Sequence, residues 1–289
     1  MQYPLRGEVR KANEEVKTIM IQTDKPLATG GTSDVYEWQD GQVLKLFRKR
    51  SEYHPHEIRA TRAAHDAGLP APAVMGAELI EVDGREGIVF ERIDGPTMSQ
   101  HVNDNPDKLA DCARGMAVLH AEIHSQPAPE TLIAQRKVLT FAIGRVDVLE
   151  PKAKEAILEV LDALPVGEMI CHGDFHVANI LMSARGLVAI DWSHGTRGNP
   201  LADFAQSSLM AMAWPWFLAQ RGLPELVQTR WRGFWDIYLE RYRELRPYSD
   251  DEFKGWQLVM AAAAHVLNRK PAPCWYALIE DTLRSGFRL

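Results

Sequence analysis

Hydrophobic and polar positions change their period near residue 93. Upstream, short apolar runs alternate with turn residues. Residues 16–22 read as the first strand. Residues 35–38 and 43–47 flank Gln39-Asp40-Gly41-Gln42, an Asp-Gly turn signal, and predict a hairpin. Residues 77–82 and 87–91 predict another around Asp83-Gly84. In this half only 55–67 has helical composition, with Gly68 to stop it and Pro70 and Pro72 to prevent its resumption. From Asp94 onward, helix-length periodicity dominates, over 106–125, 151–164, 201–213, 223–245 and 250–268. One break in that half is strand-like. Ile180-Leu181-Met182 and Leu187-Val188-Ala189-Ile190 flank Ala184-Arg185-Gly186, a hairpin that brings Asn179 and Asp191 to one end.

The pattern implies an α+β chain. A small antiparallel-sheet lobe, 1–93, precedes a larger, mostly helical lobe, 94–289, with a ligand cleft at the junction. With 289 residues and 46% hydrophobic content a large core is available, and length alone allows one or two domains. The net charge of −6 argues against a broad nucleic-acid surface. Cys112, Cys171 and Cys274 are scattered, without metal spacing or a disulfide framework, which suits a reducing cytoplasm. The N-terminus has no apolar core of signal-peptide type. The longest apolar stretch, 209–219, has eleven residues and contains Pro215, short of the roughly 20 that span a bilayer. A cytoplasmic chain with no membrane and no obligate protein partner is expected.

The candidate chemistry is concentrated in His172-Gly173-Asp174-Phe175-His176-Val177-Ala178-Asn179 and Ile190-Asp191-Trp192. Asp174 is placed to take a proton. Asn179 follows five residues later and Asp191 twelve after that. One proton acceptor and two hard oxygen ligands are what phosphoryl transfer from a metal-bound nucleotide requires. The plain reading is a hairpin with surface polar residues. Upstream, 28–36 holds Gly30, Gly31 and Ser33 between strand-like runs. It is neither a Walker A loop nor a full G-x-G-x-x-G. It reads as a hairpin turn, or as a loop whose amides approach phosphate. Lys45 lies within an apolar strand, on the face of Val43 and Phe47, and needs an anion if buried. Glu57, in the first turn of the following helix, could supply it. The plain readings are an edge-strand lysine and a helix-dipole carboxylate.

Glycine loop, Lys45, Glu57, Asp174, Asn179 and Asp191, in that order, resemble the aminoglycoside phosphotransferase and choline kinase family, a branch of the protein-kinase-like fold. The likeness runs from about Thr29 to Asp203 and includes Leu119-His120, the hinge-like Ile88 to Gly95, and Asn199-Pro200-Leu201-Ala202-Asp203. The glycine loop departs from the family's usual form. The resemblance implies an ATP-dependent kinase with magnesium, moving the γ-phosphoryl group to a hydroxyl of an aminoglycoside, choline or ethanolamine, an amino-alcohol or a sugar. On this reading Asp174 orients the hydroxyl, and Asn179 and Asp191 hold Mg2+. Lys45, set by Glu57, meets the α/β phosphates near Gly30, Gly31 and Ser33, and backbone atoms of Glu91 and Ile93 bind adenine. His176 would shape the loop by hydrogen bonding, Asp203 would brace it from a helix start, and His172 would be structural. A nucleotide-binding regulatory module without turnover is the alternative.

Two further features bear on the acceptor. Asp191 and Asp203 are only twelve positions apart, which leaves no room for a peptide-docking activation segment, so a small acceptor is expected. Trp214, Trp216, Trp231, Trp235, Trp256 and Trp275 crowd the last third. They could cage a cationic or sugar acceptor, but Trp231 and Trp235 are one turn apart, which favours packing. Asp250-Asp251-Glu252 reads as the negative start of a helix.

Overall fold

The protein is described from a computed structural model covering residues 6–9, 17–20, 25–267, 272–287 and 289. Strands β1 (Arg6–Val9) and β2 (Lys17–Met20) pair antiparallel. The strand expected first is thus the second, and Val16, Ile21 and Gln22 lie outside the described residues. A five-stranded antiparallel sheet follows, built from β3 (Ala28–Thr29), β4 (Ser33–Glu37), β5 (Gln42–Phe47), β6 (Ile80–Val82) and β7 (Arg85–Glu91). Its order is β3-β4-β5-β7-β6. The β6–β7 turn takes Asp83 and Gly84 to φ 52 and 73, the left-handed pair that suits a tight hairpin.

Strand β5 is central, so Lys45 is not an edge-strand lysine. It pairs with Val35 on one side and Ile88 on the other. Alternation sends Leu44 and Leu46 to one face, against Tyr36, Val82 and Val89. Phe47 and Val43 go to the other face, against Ile58 of helix α1 (His54–Asp66) and Ile88 and Phe90. Lys45 shares that second face, beneath α1, and is 8% exposed.

The rest is mostly helical. Helices α2 (Met98–Asp104), α3 (Leu109–Ile123), α4 (Gln135–Gly144) and α5 (Pro151–Ala163) come first. Short strands β8 (Met169–Cys171), β9 (Ile180–Ser183), β10 (Gly186–Ala189) and β11 (Thr196–Gly198) come next. Helices α6 (Pro200–Gln220), α7 (Glu225–Leu245), α8 (Asp250–Ala263) and α9 (Pro273–Arg284) complete it. Strands β9 and β10 form the expected hairpin, Ile180 opposite Ala189.

Three helices were not legible. Helices α2, α4 and α9 have 7, 10 and 12 residues, too few turns for a firm period. Residues 106–108 form a 3₁₀ turn before α3 rather than its first turn. Helix α6 was expected to stop at 213 but runs through Pro215 to Gln220. A proline there forfeits one backbone hydrogen bond. The run from Leu201 to Leu209 ahead of it is wholly buried, and the continued helix also buries Ala213 and Leu218. Helix α8 stops at Ala263, short of the expected 268; residues 264–267 form turns and Asn268 lies outside the described residues.

The tryptophans pack. Trp231, Trp235, Trp256 and Trp275 are at most 2% exposed, and the Trp214 ring lies 5.7 Å from Trp231, tilted, and 5.5 Å from Trp235, edge-on. Asp250, Asp251 and Glu252 form the first turn of α8, where carboxylates complement the helix dipole. Among the described residues no helix is long and apolar enough to cross a membrane.

Candidate active site

Lys45 is the hub of the candidate site. Its Nζ lies 2.7 Å from Glu57 Oε1 and 3.0 Å from Asp191 Oδ1. Glu57 is 2% exposed, whereas the Asp191 side chain is 39% exposed. One positive and two negative charges leave an excess negative charge. The enclosed partner absorbs it: burial raises the Glu57 carboxyl to about 7, against the pull of Lys45. Burial would also raise Asp191, but the Lys45 ammonium and hydrogen bonds from Ser193 and Lys45 outweigh it and bring the carboxyl down to about 2. Burial would lower Lys45, but its two carboxylates outweigh that and hold the ammonium above its ordinary value.

Asp191 adopts φ 63 and ψ 64, left-handed backbone rare for a non-glycine residue. A 3₁₀ turn at Trp192–His194 follows, closed by Gly195 N–H on the Trp192 carbonyl at 2.9 Å.

The loop 172–179 is framed from beneath. Asp203, fully buried in the first turn of α6, accepts from His172 N at 2.5 Å and Gly173 N at 2.8 Å. The same carboxylate receives His124 Nε2 at 3.1 Å and His120 Nε2 at 3.4 Å. Burial keeps both imidazoles neutral, so each Nδ1 accepts, from Tyr238 OH at 2.7 Å and Tyr242 OH at 2.6 Å. Burial would raise the Asp203 carboxyl, but its histidine donors hold it well below the ordinary range. His120, His124 and Asp203 have the spacing of a metal triad. Their atoms are already committed to hydrogen bonds, and the carboxylate to two main-chain amides, so the cluster is a brace.

Gly173 has φ 75, and a Cβ there would meet the His194 carbonyl oxygen at 2.2 Å. Only glycine lets the loop pass so close. His172 donates from Nε2 to the Ile190 carbonyl at 3.0 Å and accepts Asp174 N–H at Nδ1, 3.3 Å away, joining the loop to the strand before Asp191.

Asn179 brings the rest together. Its Nδ2 donates to the Asp174 carbonyl at 3.0 Å and approaches Asp174 Oδ2 at 3.4 Å. That commits the amide nitrogen, so the amide oxygen is the side-chain atom able to bind a cation. Its carbonyl accepts from Ile190 N at 2.9 Å, so Asn179 and Asp191 sit at one end of the hairpin. His176 shapes the loop by accepting Ala178 N–H at Nδ1, 3.2 Å, with Nε2 3.5 Å from Asp174 Oδ2. The Asp174 side chain is 25% exposed.

Gly30 and Gly31 are exposed at the rim, and a Cβ on Gly31 would meet nothing within 4 Å. Ser33 is buried and starts β4. Arg48 clips the loop through the Gly31 carbonyl at 3.0 Å and the Asp34 carboxylate at 2.6 Å. Glu91 N–H is taken by the Ala73 carbonyl at 2.9 Å, and Ile93 is half-buried. The Glu91 side chain receives Arg185 at 2.8 and 3.1 Å. Next to it, Gly95 (φ 148) passes so close to the Met182 carbonyl that a Cβ would lie 2.1 Å away, and Met182 N–H donates to Pro96 at 2.9 Å. The turn of the β9–β10 hairpin is thus stitched to the hinge segment. A separate groove of about 330 Å³ lies between α6, α7 and α8; none of Lys45, Asp174, Asn179 and Asp191 lines it.

Sequence reasoning missed His124, Tyr238, Tyr242 and Arg185. A signal for three of them was present. His120 and His124 are one turn apart on α3, and Tyr238 and Tyr242 one turn apart on α7, a matching ladder of polar groups on two amphipathic helices.

With this geometry, the chain matches over residues 23–248 the model of a phosphotransferase enzyme family. No curated protein sequence matches it. Among solved structures it resembles a thermostable mutant of aminoglycoside phosphotransferase APH(4)-Ia in ternary complex with AMP-PNP and hygromycin B, at 17% identity and TM-score 0.61, over 91% of this chain and 93% of that one. It resembles a choline/ethanolamine kinase family protein from Mesorhizobium loti at 16% identity and TM-score 0.54, over 90% and 85%. The streptomycin-ATP-APH(2")-IIa ternary complex is similar at 16% identity and TM-score 0.52, over 85% and 84%. The fold is kinase-like, and because the family model spans well over half of its length, the chain belongs to the phosphotransferase enzyme family.

Proposed function

We propose that the protein transfers the γ-phosphoryl group of ATP to a hydroxyl of a small molecule. The observation that carries this is the Lys45 ammonium set between Glu57 and Asp191, with Asp174 and Asn179 joined beside it. Residues 1–93 form the nucleotide side and 94–289 the acceptor side. The acceptor hydroxyl oxygen attacks the γ-phosphorus, the bond to the β–γ bridging oxygen breaks, ADP leaves, and the hydroxyl proton passes to the Asp174 carboxylate. Lys45, set by Glu57, meets the α/β phosphates under the loop of Gly30, Gly31 and Ser33. The backbone at Glu91 and Ile93 takes adenine.

Magnesium suits the donors. Asp191 stays ionised and Asn179 offers an amide oxygen, both hard ligands. When bound, the ion neutralises charge on the phosphates. The acceptor class is an aminoglycoside, choline or ethanolamine, an amino-alcohol or a sugar. Nucleotide and aminoglycoside complexes of the solved relatives support this, as does the short run from Asp191 to Asp203. The test is ADP release from purified protein over a panel of small hydroxyl compounds, with mass spectrometry of the product. One phosphorylated small molecule is expected. Phosphorylation of a folded protein, with no small molecule accepted, would overturn the acceptor class.

A further inference from the structure

Helix α1 reaches the cleft through two adjacent residues. Glu57 holds Lys45. His56, one position earlier, places Nε2 2.6 Å from the Gly195 carbonyl oxygen. A carbonyl only accepts, so Nε2 carries the proton and Nδ1 is bare. His56 is 5% exposed, and its Nδ1 is buried with no partner. Burial holds the ring below its ordinary value, which keeps it a neutral donor.

Gly195 closes the turn that Asp191 opens. Helix α1 lies so near that a Cβ on Gly195 would sit 2.7 Å from Ala60 Cβ. His56 and Ala60 are one turn apart on one stripe of α1, so a polar clamp and a close apolar seat act on the same glycine. At the other end of the turn, Asp191 keeps a left-handed backbone that an aspartate adopts only when its surroundings enforce it. A purely apolar side chain would pack α1 equally well there. It would not leave one imidazole nitrogen unpaired to place the other on a carbonyl.

We propose that His56 is a positioning residue: its Nε2–H clamps the Gly195 carbonyl and so fixes the 191–195 turn in the conformation that presents the Asp191 carboxylate to a metal and to Lys45. This rests on the phosphotransferase reading. It adds that the metal ligand is set by a histidine from the helix that also sets the strand lysine, so one rigid element positions both.

The test uses the full chain and three variants. His56→Leu keeps bulk and removes the donor. His56→Asn keeps an amide but is too short to reach. His56→Gln places an amide nitrogen where the imidazole Nε2 stands. ADP binding is titrated with magnesium by calorimetry, and backbone hydrogen exchange over 191–196 is followed in the nucleotide-free protein. The Leu and Asn variants should need about tenfold more magnesium for half-maximal binding, the loss of roughly one hydrogen bond. They should exchange faster over 191–196, with magnesium-free ADP affinity unchanged. Gln should recover most of both effects. Parent-like exchange and magnesium dependence in Leu and Asn would overturn the proposal. So would a loss in Gln as large as in Leu, or lowered thermal stability with unchanged magnesium dependence. If the parent protein binds no ADP with magnesium, the phosphotransferase reading fails instead, and the exchange data still judge the clamp.

Discussion

The Lys45 ammonium lies 3.0 Å from the Asp191 carboxylate, across 146 residues of sequence, and ties the sheet to the hairpin that follows the loop of Asp174. This contact brings the central strand of the N-terminal part and the end of β10 to one point. Lys45→Met would leave Glu57 and Asp191 facing each other without a cation. Removing one partner of a buried pair costs about 3–5 kcal/mol. The hypothesis is that Lys45→Met loses stability on that scale and weakens nucleotide binding. The double variant Lys45→Met, Glu57→Gln should lose less stability than the single one. Urea unfolding decides it, and a double variant no more stable than Lys45→Met would refute the charge argument.

Asp174→Asn tests the proton acceptor. Asp174 is partly open and sits 3.4 Å from Asn179 Nδ2. ADP and magnesium binding should persist, while transfer to the true acceptor falls roughly 10²–10⁴-fold. Equal rates in variant and parent would remove Asp174 from the role. Binding without turnover in the parent would instead point to the regulatory module.

Two glycines should respond in opposite ways. A Cβ on Gly173 would press the His194 carbonyl at 2.2 Å, in a backbone of φ 75. Gly173→Ala should therefore destabilise the fold by more than about 1 kcal/mol. A Cβ on Gly31 meets nothing within 4 Å. Gly31→Ala should melt like the parent and yet bind nucleotide more weakly, because the loop is proposed to let phosphate approach the backbone. Thermal melts with nucleotide titrations check both. Unchanged nucleotide affinity in Gly31→Ala would free that loop from the phosphates.

Stability should depend on pH through two opposed sets of groups. Burial holds His120, His124 and His172 below the ordinary 6.5, with His120 at about 3. The unfolded chain takes up those protons first, so this contribution is lost as pH falls below about 6.5. Glu57 runs the other way. Burial raises it from 4.5 to about 7, so the unfolded chain releases its proton first, and stability is lost as pH rises from 4.5 through 7. Glu57→Gln should gain on the parent by up to about 3 kcal/mol between pH 5 and 8. A difference between the two proteins that stays flat with pH would show that Glu57 is ionised throughout.

Local order made part of this arrangement legible. Asn179 and Asp191 flank a hairpin, so strand pairing alone brings them to one end. Lys45 and Glu57 follow from alternation along β5 and a helix start twelve residues on. The contact of Lys45 with Asp191, and the seat of Asp203 under His172 and Gly173, depend on how distant elements pack. No short window of sequence contains that packing. Tyr238 and Tyr242 look like ordinary residues of an amphipathic helix until α3 lies beside them. Helix α2 was hidden for a different reason: its seven residues make too few turns to show an apolar stripe, although the Thr97–Gln100 capping box marks its start.

The stitched hairpin makes the cleft a ruler. Arg185 and Met182 hold one end of the β9–β10 ribbon to the segment Glu91–Pro96, while Asn179 and Asp191 mark the other end. Each strand has four residues, about 13 Å at 3.3 Å per residue. Under the proposed assignment, the span from base to metal is set by paired strands and not by pliable loops. A nucleotide with one phosphate more than ATP would then register at the base or at the metal, but not at both. Adenosine tetraphosphate should compete with ADP for binding yet serve poorly as a phosphoryl donor, and efficient transfer from it would show that the ruler bends.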